Sequence, residues 1–66
     1  MNLLYFVKFK DLKRSLTAEN YDNVRKQLIM LLQQINQDPQ AEFIDTKLHT
    51  YISDLLQEIT ERFDES

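Results

Sequence analysis

Glycine and cysteine are both absent from this 66-residue chain, and its single proline is Pro39. Without glycine there is little material for turns of positive φ, bulged strands or the phosphate-cradling loops of nucleotide enzymes. Without cysteine there is neither a disulfide scaffold nor a Cys-x-x-Cys site. Long apolar runs are missing too. The two longest, Leu3 to Val7 and Leu28 to Leu32, fall far short of the ~20 residues that span a bilayer. No basic segment precedes the first run and no small-residue cleavage site follows it, so no signal peptide is expected and the cytoplasm is the expected compartment.

What is present is an apolar content of 42%, a globular composition rather than a disordered one. The length suits one helical domain, residues 1–66. Surface scaling gives roughly 4,400 Å² folded against roughly 11,600 Å² unfolded, so about 60% of the surface is buried. That is marginal for a lone monomer with no disulfide or metal to supplement its core. A homodimer is therefore expected.

Three stretches carry helical periodicity. In the first, residues 2–15, Tyr5, Phe9, Leu12 and Leu16 recur at i, i+4, i+7 and i+11. Leu3, Leu4, Phe6 and Val7 make its first two turns apolar on every side. Their β-branched and aromatic character would suit a strand, but nothing else in the chain offers a strand partner. The second stretch, 18–36, follows Thr17 as N-cap and carries an unbroken stripe of Tyr21, Val24, Leu28, Leu31 and Ile35. Leu32 widens that stripe, while Ile29 and Met30 lie off it. The third, 39–63, follows Asp38 as N-cap and Pro39 at the first helical position. Its face is Ala41, Ile44, Leu48, Tyr51, Ile52, Leu55, Ile59 and Phe63, and Asp45-Thr46 offers a second possible start. The short connections make successive helices antiparallel. The expected fold is a small all-α bundle of three helices.

Charge divides along the chain, which carries −3 overall. Residues 1–26 hold six basic groups against three acids, and residues 27–66 hold two against eight. Lys8, Lys10, Lys13 and Arg14 are candidate contacts for an anionic partner. In an up-down-up bundle the ends of the first and third helices lie side by side, which instead brings these cations toward Asp54, Glu58 and Glu61. The sequence pI of about 4.9 argues against a nucleic-acid footprint, which usually sits in a strongly basic domain. An interfacial membrane helix built from Leu3-Leu4-Tyr5-Phe6-Val7 and the following lysines is a rival reading.

The one constellation with a catalytic look is Glu42, Asp45, His49 and Ser53, on one helical face and containing the only histidine. Two carboxylates and an imidazole are zinc or iron ligand types, but as Asp, His and Ser they step ~6 Å apart along a helix with no oxyanion hole. They read as the solvated side opposite Leu48, Ile52 and Leu55. No catalytic residue, cofactor or metal is expected. The residues that exceed the needs of a monomer core are Tyr5, Phe6, Phe9, Ile29, Met30 and Phe43. Aromatic and methionine side chains carry interface energy, so these are the expected partner or dimer contacts. The expected function is non-catalytic: binding and modulating another protein. The alternative is a dimeric nucleic-acid regulator using the first helix.

Overall fold

Residues 4–39 and 45–63 are described by a computed structural model, in which they form three helices: α1 (Leu4–Ser15), α2 (Tyr21–Gln37) and α3 (Asp45–Phe63). The first segment is a helix, so the strand option falls away. Residues 40–44, where the expected start of the third helix continues beyond Pro39, lie outside the described residues, as do Phe43 and Glu42.

The turn between α1 and α2 is built without glycine and without any positive-φ residue. Side chains take glycine's place. Thr17 Oγ1 accepts the backbone N–H groups of Glu19 and Asn20 at 3.3 and 3.2 Å, and Asn20 Oδ1 accepts the N–H of Thr17 at 2.7 Å. This is a reciprocal capping box with Asn in the position usually held by Glu or Gln. Asn20 Nδ2 also donates to the carbonyl of Ser15 at 2.6 Å, tying the cap to the end of α1. Thr17 thus caps a single turn, and α2 proper begins at Tyr21 rather than at residue 18. At its other end α2 runs to Gln37, with Asp38 as its C-cap and the Asp38 N–H reaching the Ile35 carbonyl at 3.2 Å. Asp38 therefore closes α2, while the start of the next helix, which it is expected to cap, lies outside the described residues.

The core follows the stripes. Val24, Leu28, Leu31 and Ile35 of α2 interlock with Leu48, Ile52, Leu55 and Ile59 of α3, and Phe9 enters from α1. No polar or charged side chain is buried among the described residues. Fully burying an aliphatic side chain of this size is worth about 1.5–3 kcal/mol, so these nine residues dominate the fold's stability. Tyr5, Phe6, Leu12, Leu16, Tyr21, Leu32, Leu56 and Phe63 pack around them half-buried.

Antiparallel order is fixed by contacts at the ends. Tyr5 Oη donates to Asp38 Oδ2 at 2.8 Å, placing the start of α1 at the end of α2. The rings of Tyr21 and Phe63 stack with centroids 5.0 Å apart, placing the start of α2 at the end of α3. His49 Nε2 and Asn36 Oδ1 share a hydrogen bond of 2.7 Å at the α2–α3 turn. The result is a rod of 39 × 16 × 16 Å, the width expected of helices with axes ~8–10 Å apart. The packing is uneven. α2 meets both neighbours along its length, while α1 and α3 meet each other over less of theirs.

Candidate functional site

A helix turns 100° per residue, so neighbours in sequence part company on its surface. That rotation divides the expected contact residues among three places. Phe9 is 7% exposed and packs in the core, where it also lines the α1–α3 groove. Tyr5 is half-buried and held by Asp38. That hydrogen bond, then burial and the negative charge of Asp38, raises the Tyr5 pKa above its ordinary value. Ionisation there would abolish the donor and set a phenolate against a carboxylate.

Met30 lies on the α1–α2 side, lining a groove of about 370 Å³ with Lys8, Asp11, Leu12, Gln27 and Gln34. A second depression, lined by Leu4, Tyr5 and Val7, shares Lys8, Asp11 and Gln34 with it, so the two form one continuous groove. Leu4, Val7 and Met30 are 72%, 53% and 60% exposed along it. Ile29 is exposed but turned away from this groove. Leu4 and Val7, which the sequence offers as surplus apolar residues and as part of a possible membrane segment, line the groove instead.

Phe6 lies on the other side of α1, where a second groove of about 280 Å³ opens between α1 and α3. Its floor is aromatic. Tyr51 stacks on Phe9 at 6.2 Å between centroids and meets Phe6 edge-on at 6.5 Å. Lys10 and Lys13 line one wall, and Asp54 and Glu58 the other. Here the up-down-up geometry does bring cations of α1 opposite acids of α3. The four basic residues nonetheless divide. Lys8 borders the α1–α2 groove, Lys10 and Lys13 the α1–α3 groove, and Arg14 is exposed on the outward side of α1. They make no single basic row.

Of the polar constellation on α3, His49 is engaged with Asn36 and Ser53 is exposed. Among the described residues no three His, Cys, Asp or Glu side chains converge as metal ligands. No described helix is long and apolar enough to cross a membrane. Both grooves are open troughs with apolar floors and charged rims.

Comparisons of the chain with protein-family models, with curated proteins and with solved structures find no match.

Proposed function

We propose that this chain is a non-catalytic binding module whose α1–α2 groove receives an amphipathic helix of another protein and thereby modulates it. The observation that carries this reading is the exposed row of Leu4, Val7 and Met30 along one groove. Helix-in-groove recognition uses such a row, with apolar anchors repeating at three- and four-residue spacing in the ligand. Covering the exposed parts of the three side chains is worth roughly 3–6 kcal/mol before the costs of association. Lys8 and Asp11 at the rim supply charges of both signs that orient the ligand.

The test is a triple variant, Leu4→Gln, Val7→Gln and Met30→Gln. Because all three side chains are exposed, helicity and melting should stay near wild type. A partner captured by the wild type from native extract, purified and titrated by calorimetry, should bind with negative ΔCp and lose affinity at least ~100-fold with the variant. A partner that binds both forms equally would refute the reading. Liposomes are the control. Flotation that depends on Leu4 and Val7 would move the assignment to interfacial membrane attachment.

A further inference from the structure

We infer that the α1–α3 groove is the docking face for a second copy of this chain, in a dimer whose two-fold axis runs along the groove. The face has an aromatic floor, in which Tyr51 is 46% exposed, a positive wall of Lys10 and Lys13 and a negative wall of Asp54 and Glu58. Those walls face each other across the groove without closing. Asp22 pairs with Lys26 and Glu58 with Arg62, each within a single helix.

A face with one wall of each sign is complementary to itself, but in one orientation only. Rotation about an axis along the groove lays α1 of each copy over α3 of the other. Lysines then meet carboxylates along both contacts, and Phe6 of each copy faces Tyr51 of the other at equal height. Rotation about an axis across the groove would lay α1 on α1 and α3 on α3, with like charges opposed. Self-complementarity is what a two-fold interface requires, and juxtaposed like charges cost several kcal/mol. Charge therefore selects the parallel arrangement. This face lies on the opposite flank of α1 from the Leu4–Val7–Met30 row, so failure of either assignment leaves the other standing.

Three variants test it by sedimentation and light scattering at ~100 µM, where mass action favours the dimer. One reverses the basic wall (Lys10→Glu, Lys13→Glu), one reverses the acidic wall (Asp54→Lys, Glu58→Lys), and one exchanges all four charges. The wild type should be a dimer. Each half-reversed chain should raise the dimer Kd at least ~10-fold, and mixing the two should restore a heterodimer. The fully exchanged chain should dimerise with itself and refuse the wild type. It also keeps opposite charges across its own groove, so it carries the test if either half-reversed chain loses its helicity. A monomeric wild type overturns the inference. So does a dimer indifferent to the half reversals, or one broken by Ile29→Glu instead. An exchanged chain that is folded yet monomeric overturns it too.

Discussion

Replacing Phe63 by Ala should cost about 2 kcal/mol, and the structure says where that cost comes from. Phe63 ends α3, half-buried, with its ring stacked on Tyr21 at an interplanar angle of 18°. Arg62 lies 5.0 Å from the Phe63 centroid and Arg25 lies 5.6 Å from that of Tyr21, so the stacked rings have a guanidinium contact at each end. A fully buried Phe→Ala change costs about 3–5 kcal/mol, and half burial scales that to about 2. Within it, the ring–ring contact accounts for ~0.5–1.5 kcal/mol beyond area. A domain this size is stable by only about 3–10 kcal/mol, so the melting temperature should fall by about 8–16 °C. Thermal and urea unfolding of Phe63→Ala, Tyr21→Ala and the double variant form the assay. The cycle should give a coupling energy of about 1 kcal/mol. Phe63→Leu, which keeps apolar bulk and loses the stack, should recover only part of the loss. Costs that add to within ~0.3 kcal/mol would refute the reasoning, because Phe63 would then act through area alone.

Two further outcomes follow from the polar contacts at the helix ends. Tyr5 ionises above its ordinary range in the folded state, so its contribution is complete below about pH 10 and is lost as pH rises through the raised value. Tyr5→Phe should lower the melting temperature at neutral pH and flatten its alkaline decline; parallel wild-type and variant curves would defeat this. Thr17→Ala should cost about 1 kcal/mol by removing the cap, while Thr17→Ser should restore most of it. Calorimetric melting that leaves Thr17→Ala at wild-type stability would show the capping box to be idle.

The α2 stripe was legible because its apolar residues keep to one side, and Val24, Leu28, Leu31 and Ile35 are all buried as spaced. α1 was less legible. With Leu4, Phe6, Val7 and Phe9 apolar on several sides, periodicity does not say which of them faces inward, so Phe9 reads both as stripe and as surplus, and it is buried. Ile29 and Met30 are both exposed, but of the two only Met30 lines the α1–α2 groove. The helix start was missed by one turn because Thr17 caps through Asn20, a residue type that the usual capping pattern does not include. Tyr5 with Asp38, and Tyr21 with Phe63, are pairings between distant positions that no local pattern encodes. The division of Lys8, Lys10, Lys13 and Arg14 follows from helical rotation alone, yet it could be assigned to particular grooves only once α2 and α3 were in position.

α1 contributes one buried side chain to the core, against four from each of the other helices. Its 12 residues therefore form the weakest cooperative unit of the fold, and the α2–α3 hairpin is the strongest. Amide hydrogens of α1 should exchange through a partial opening that leaves the hairpin intact, at a free energy below that of global unfolding. Both grooves use α1 as a wall. An occupant of either one holds α1 down, and by linkage it eases the arrival of the other with no change of shape. Slow exchange confined to α1 would then report occupancy at either face of the bundle.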